Sequence, residues 1–281
     1  MSPVDRGEEP ERPADLRVAI IGRGAVSAHL QTLFSPGDGL RLIGLVGRSD
    51  VPIPQGDGLA AAGPASLLSF EEALECSDVV VEAAGVQAVH EFGPRTVAAG
   101  RTLLVSSVGA LADPDLATAL GNGPGWLHPS TGAIGGLDLI RAASLTGGIQ
   151  RVSLRTRKLP KALIQQWMNE AEQRELLDTV EPRRLFHGTP QEAVRLFPAS
   201  LNVAVALGLA VGSLDRVEVE LWADPGAGIT EHLIQASGAA GDYEFRIRNT
   251  PNPAQPRSSG LTARALYSGL IDLATPSGRF R

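Results

Sequence analysis

Gly22 and Gly24 follow directly on a short apolar run, Leu16 to Ile21, in the order Gly-Arg-Gly-Ala-Val-Ser. Where a strand hands over to a helix, that spacing has a chemical use. The first glycine permits a tight turn and the second lets the backbone come close to a pyrophosphate. The helix beyond then offers unpaired N–H groups and a partial positive charge, with Ala25 and Val26 in the turn as further cofactor-binding candidates. Ser27 stands where the full fingerprint has a third glycine, so the motif is incomplete, and a turn needed only for packing is the competing reading. Its place after the first buried strand favours dinucleotide binding. The next strand ends Val46-Gly47-Arg48-Ser49, with no acid before Asp50. Domains that bind NAD place an Asp or Glu about 20 residues past the glycines to hold the ribose 2′-OH. An arginine and a hydroxyl suit a 2′-phosphate instead, so the cofactor is expected to be NADP or NAD, with NADP at least accepted. The alternative leaves Arg48 as a solvated surface charge.

Chemistry beside a dinucleotide needs a proton acceptor near neutral pH, and the chain has five histidines. His29 lies on the first helix, His90 opens a helix, and His187 sits in a loop-like stretch before Gly188. His128 stands beside a glycine-rich turn, Thr131 to Gly136. His232 falls on a strand-like run in which Ile234 and Ala236 share its face. Residue type alone leaves each of these equally suited to a structural or surface role. An acidic protein that holds anions must also gather cations locally. Arg157 and Lys158 end a strand, and Arg257 with Ser258 lies in a proline-rich stretch; a solvated charge is the alternative for each. Cys76 is the single cysteine, so no intramolecular disulfide and no metal-ligand spacing can be built on it, and no metal is expected.

The elements that must position these residues fit a chain of 281 residues and 29.4 kDa, with 43% hydrophobic and 20% charged residues. Two compact units fit that length. The formal charge of −6 argues against a nucleic-acid surface, which needs clustered Lys and Arg. No apolar run approaches the ~20 residues of a membrane span. Residues 1–15 are rich in proline and charge, without the apolar stretch of a secretory signal, and read as a disordered tail. A cytoplasmic protein is expected.

Leu16–Ile21, Leu40–Val46, Asp78–Glu82 and Thr102–Ser106 read as buried strands. Helices between them are expected over His29–Phe34, Ala65–Leu74 and Glu91–Ala99. Alternation of this kind implies a Rossmann-type parallel sheet covered on both faces. After about residue 120 the pattern changes. Arg151–Lys158, Arg216–Trp222 and the run around Tyr243, Phe245 and Ile247 alternate apolar and polar residues, as strands with one exposed face do. Gln165–Leu177, Ser200–Val211 and Thr262–Leu273 read as helices, and Thr250–Ser259 as an irregular loop. The fold class is α/β, with a second α/β domain carrying a mixed or antiparallel sheet. The division is 16–120 for the dinucleotide domain, 121–252 for a substrate and dimerisation domain, and 253–281 for a loop and helix returning to the first.

Six strings in order, VVEAAGVQAVHE (Val80–Glu91), LVSSVGALAD (Leu104–Asp113), PSTGAIGGLD (Pro129–Asp138), TRKLP (Thr156–Pro160), FPASLNVAVALGLA (Phe197–Ala210) and NTPNPAQPRSS (Asn249–Ser259), resemble the L-aspartate dehydrogenase family. The resemblance implies NAD- or NADP-dependent oxidation of L-aspartate, or a similar small dicarboxylate, to the imine, and in some organisms a link to nicotinamide-nucleotide synthesis. It implies a homodimer formed with help from the second sheet. It also implies cofactor contacts at Ala133 and Asn202 and a catalytic role for His232. Thr230 and Glu231 before that histidine depart from the family's Asn-x-His context, which bears on substrate preference. Two other readings stand beside it. One is a different Rossmann oxidoreductase, although Glu82-Ala83-Ala84 lacks the Glu-Lys-Pro of sugar-oxidising relatives. The other is a non-catalytic NADP-binding sensor.

Overall fold

The computed structural model describes residues 14–47, 66–198, 200–252 and 255–275, of which 251 and 255–258 are described by their backbone. The expected tail, through residue 13, and the Arg48-Ser49 pair lie outside the described residues.

The first sheet contains β1 (Leu16–Ile21), β2 (Leu40–Val46), β3 (Leu67–Leu68), β4 (Val79–Glu82), β5 (Thr102–Val105) and β6 (Leu127–Pro129). All its pairings are parallel, in the order β3-β2-β1-β4-β5-β6. Val18 to Ile21 and Val79 to Val81 are buried on both sides, which is why these runs are apolar throughout. β6 extends this sheet beyond residue 120, where the sequence reading divides the chain. Its helices are α1 (Ala25–Gln31), α2 (Phe70–Cys76), α3 (Val86–Ala98) and α4 (Pro114–Gly121), followed by α5 (Leu137–Leu145). Strand order reverses between β1 and β4, and a crevice opens outside their carboxyl ends, the place where such sheets bind ligands.

The second sheet is mixed: β7 (Arg151–Lys158), β8 (Arg183–Gly188), β9 (Val217–Ala223), β10 (Thr230–Gly238) and β11 (Gly241–Asn249) in the order β11-β10-β7-β9-β8. β7 and β9 are parallel and the other pairs antiparallel. The long excursion between β7 and β9 carries α6 (Glu170–Leu177), β8, α7 (Pro190–Leu196) and α8 (Asn202–Val211). Val152, Leu154, Val219, Leu221 and Ile234 turn one sheet face into a core that α8, apolar nearly all round, completes. The other face is polar. A short ribbon, β12 (Pro251–Asn252) with β13 (Gln255–Ser259), leads to α9 (Leu261–Ala274), which packs Ala263, Leu266 and Leu270 beneath the first sheet with Val18, Ile20 and Leu30.

Several expected boundaries differ. The helix after the glycine turn begins at Ala25 rather than His29, and α3 begins at Val86 and runs through Pro94, so His90 lies within it. Leu67–Leu68 pair as β3, because Ser69 and Glu72 form a capping box that starts α2 only afterwards. Asn169 and Glu172 start α6 late in the same way. His187 lies on strand β8, not a loop, and within the expected loop Pro251–Asn252 pairs with Gln255–Ser259 as the β12–β13 ribbon, whose edge positions tolerate proline.

Candidate active site

Gly22 follows β1 at φ +112°, and a Cβ there would stand 2.7 Å from the Ala83 carbonyl oxygen; only glycine fits between the ends of β1 and β4 at the switch point. Gly24 is different. It is exposed, and a Cβ added to it meets nothing within 4 Å. Its place is open because the backbone faces a cleft of ≈ 760 Å³. Ser27, at the third-glycine position, is fully buried, as close packing of α1 on the sheet requires.

The cleft runs from the Gly24-Ala25-Val26 turn past the Ala83–Gly85 and Ser106–Val108 turns to Ala133, Asn202, Lys158 and His232. α1, α3 and α8 present residues of their first turn or the residue before it to this cleft without a side-chain cap; α9 reaches it too, with Ser259 Oγ accepting the Leu261 amide at 3.0 Å. α2, α4, α6 and α7 are capped by Ser69, Asp113, Asn169 and Thr189. Unsatisfied N–H groups are thus gathered where anions would enter, in a protein acidic overall.

The walls are held by polar side chains, two of which, Glu82 and Asn249, the sequence reading missed, while the third, Asn202, it named. Glu82, 1% exposed, accepts from the Ala84 and Gly85 amides at 2.7 Å each and from the Ser107 amide at 2.9 Å, tying the ends of β4 and β5 together. Asn249 donates from Nδ2 to the Ala133 carbonyl at 2.7 Å and anchors the glycine-rich turn. Asn202 accepts the Gly109 amide on Oδ1 at 3.0 Å, so it positions the loop after β5 as well as lining the cleft.

His232 is 2% exposed and Lys158 5%, both on the inner face of the second sheet. Thr156 Oγ1 lies 2.9 Å from His232 Nδ1, which leaves Nε2 as the nitrogen for the cleft. Burial, with the positive charge of Lys158 second, pushes the imidazole down to about 3, so the ring is neutral at pH 7. Burial also lowers the Lys158 ammonium to about 8. The pair supplies a neutral base and a desolvated cation side by side along the cleft wall.

The competing histidines sit elsewhere. His128 packs towards Gly269 of α9, His90 lies 3.9 Å from Asp113, and His187 pairs with Glu218 at 2.6 Å on the surface. Arg157 is corrected: it turns to the outer face and pairs with Asp224 and Glu231, one residue from Lys158 but on the opposite side of the strand. Glu231 also faces outward, so of the two departures before His232 only Thr230 lines the cleft. Arg257 and Ser258 lie on β13, their side chains outside those described. A more open groove of ≈ 910 Å³ over the other end of the second sheet has Arg151, His187, Glu218 and Tyr243 on its walls, without a glycine turn or a buried base. Among the described residues no group of His, Cys, Asp or Glu side chains is arranged to hold a metal, and no helix is long and apolar enough to cross a membrane.

Residues 138–273 match the family model described as aspartate dehydrogenase, C-terminal, and residues 22–122 match the NAD-binding domain of homoserine dehydrogenase. The chain is 35% identical over 264 residues to the L-aspartate dehydrogenase of Ruegeria pomeroyi, covering 91% of each. It is 34% identical to that of Pseudomonas aeruginosa over 91% of this chain and 96% of that one. The crystal structure of aspartate dehydrogenase from Thermotoga maritima superposes with a TM-score of 0.68 at 26% identity, over 95% of this chain and 98% of that one. A hyperthermophilic archaeal homoserine dehydrogenase in complex with NADPH, 13% identical with a TM-score of 0.57 over 95% of this chain and 100% of that one, shares the fold.

Proposed function

Because the chain belongs to the L-aspartate dehydrogenase family, we propose that its cleft oxidises L-aspartate to iminoaspartate with NADP or NAD, and in reverse aminates oxaloacetate reductively. The observation that carries this reading is the convergence of the open Gly24 turn, the buried Lys158 and the buried neutral His232 on one cleft.

The turn fits a dinucleotide: a Cβ at Gly24 would occupy the space that a pyrophosphate needs, and the uncapped α1 lies behind it. Gly22, Gly24, Ala25 and Val26 hold the phosphates, while Ala133 and Asn202 line the nicotinamide end. Arg48 and Ser49 receive a 2′-phosphate. When bound, the nicotinamide accepts the hydride from Cα.

The protein's part is placement and proton transfer. Lys158 holds one carboxylate of the substrate, with Arg257 and Ser258 as candidates for the other. The C=N bond can form only from the neutral amine, so a proton must leave the ammonium first. His232 Nε2 takes it, and in reverse delivers a proton to the water leaving the carbinolamine. Burial is the main cause that holds the imidazole low; a carboxylate beside Lys158 offsets the second, the lysine's charge, and so raises the ring's basicity when substrate is present. Burial keeps bulk water from competing for the proton.

His232→Ala tests this reading. The turnover number for L-aspartate is expected to fall by about 10²–10⁴, with NADP binding, read by quenching of Trp126, Trp167 and Trp222 fluorescence, nearly intact. Retained turnover would remove His232 from the mechanism. The outer face of the second sheet, where Arg155 lies over Trp222 and both Arg155 and Arg184 bond Glu220, is the surface we assign to a second copy of the chain. A monomeric mass at micromolar concentration would contradict that assignment.

A further inference from the structure

Thr156 and His232 stand opposite each other in register on β7 and β10. Thr156 is fully buried, and its Oγ1 lies 2.9 Å from Nδ1 of the ring. The partner is a hydroxyl, not a carboxylate or a backbone carbonyl. Either of those only accepts, and would pin a hydrogen on Nδ1 in every state of the ring. A hydroxyl carries both a hydrogen and lone pairs. It donates to Nδ1 when the neutral ring holds its hydrogen on Nε2, and accepts from Nδ1–H in the other tautomer and in the imidazolium. Lys158, on β7 two residues from Thr156, is the charged group on this face. On the far side, the register partner of His232 on β11 is the apolar Ile247. Asn202 is the polar residue from α8, and Glu231 beside His232 points outward.

We propose that Thr156 is the positioning residue of His232, accepting from Nδ1–H on Oγ1 and so holding the ring with the Nε2 lone pair toward the substrate while the proton comes and goes on Nε2. This rests on the acid–base reading of His232 above. In the oxidative direction the ring starts with its hydrogen on Nδ1, donated to Oγ1. The Nε2 lone pair takes one proton from the substrate ammonium, leaving the neutral amine and an imidazolium whose Nδ1–H still donates to Oγ1. In the reductive direction the same imidazolium gives its Nε2 proton to the departing hydroxyl, which leaves as water. The neutral ring left behind keeps Nδ1–H on Oγ1.

Thr156→Val keeps the shape and strand preference of threonine and removes only the hydroxyl; Thr156→Ser keeps the hydroxyl. In the valine variant the turnover number for L-aspartate is expected to fall roughly 10- to 100-fold, since a buried Nδ1–H then lacks an acceptor. The KM for L-aspartate and NADP binding should stay near wild type, and serine should restore most of the turnover. Full turnover in Thr156→Val, or equal losses in valine and serine, would overturn the proposal. The ¹⁵N spectrum of the His232 ring, read on wild type and Thr156→Val without turnover, separates this from the reading beneath it. A hydrogen-bonded Nδ1 signal that changes in the valine variant supports the role of Thr156 even if L-aspartate is not the substrate. An unchanged signal overturns it even if L-aspartate is oxidised.

Discussion

Lys158→Met should make the protein more stable and the enzyme worse. The ammonium is 5% exposed, and burial lowers it from 10.5 to about 8. That shift corresponds to about 3 kcal/mol of cost for keeping the charged form inside the fold. Below pH 8 the folded and unfolded chains both carry the proton, so the whole cost is borne. Between pH 8 and 10.5 the unfolded chain binds more protons, and stability rises with pH. Methionine fills a similar volume without charge. After subtracting about 1 kcal/mol for the interactions that the ammonium gives up, a net gain of about 2 kcal/mol is expected at pH 7. The difference between wild type and variant should shrink towards pH 10. Loss of a charge-assisted bond to a carboxylate, worth about 1.5–3 kcal/mol, should raise the KM for L-aspartate roughly 10- to 150-fold. Urea unfolding at pH 7 and pH 10, with initial rates on the same preparations, measures both. A variant less stable than wild type at pH 7, with its KM unchanged, would refute the reasoning: Lys158 would then be a structural cation.

Gly24→Val should fold normally, because a Cβ there meets nothing within 4 Å, yet it should abolish nucleotide binding as read by tryptophan quenching; unchanged affinity would make the turn a packing feature. His232 is held at about 3, so the unfolded chain binds more protons between pH 3 and its ordinary 6.5, and stability falls as pH drops through that window. From pH 6.5 to 4.5 wild type should lose about 2–3 kcal/mol more than His232→Gln in urea titrations, and parallel losses would contradict the burial argument. Arg48→Asp should weaken NADP by about 1.5–3 kcal/mol and NAD less; an unmoved preference, measured by paired binding titrations, would take Arg48 away from the ribose.

The first sheet was legible because its strands are short, β-branched and punctuated by glycine, and because Gly22 and Gly24 fall at one strand end. The inner face of β7 was legible by alternation: Val152, Leu154, Thr156 and Lys158 share it, which by itself separates Lys158 from Arg157. What local pattern could not carry is register. Thr156 meets His232 only through the pairing of β7 with β10, and Asn249 reaches Ala133 across 116 positions of chain. Glu82 read as the end of a buried strand, since nothing nearby in sequence announces that Ser107 will donate to it. The proline-rich stretch after Asn249 hid a ribbon because the pairing of Pro251 with Ser259 and of Asn252 with Gln255 is a matter of register, not of local pattern.

The most direct test follows absorbance at the reduced-nicotinamide band as purified protein is mixed with NADP, or with NAD, and L-aspartate. Growth of the reduced-cofactor signal with L-aspartate, at most 1% as fast in His232→Ala, is the predicted result. A wild-type protein that binds the nucleotide with Gly24 intact and yet leaves L-aspartate unoxidised with both cofactors would contradict the account. Thr230, the cleft-lining departure before His232, would then be the first residue to examine against other amino and hydroxy acids.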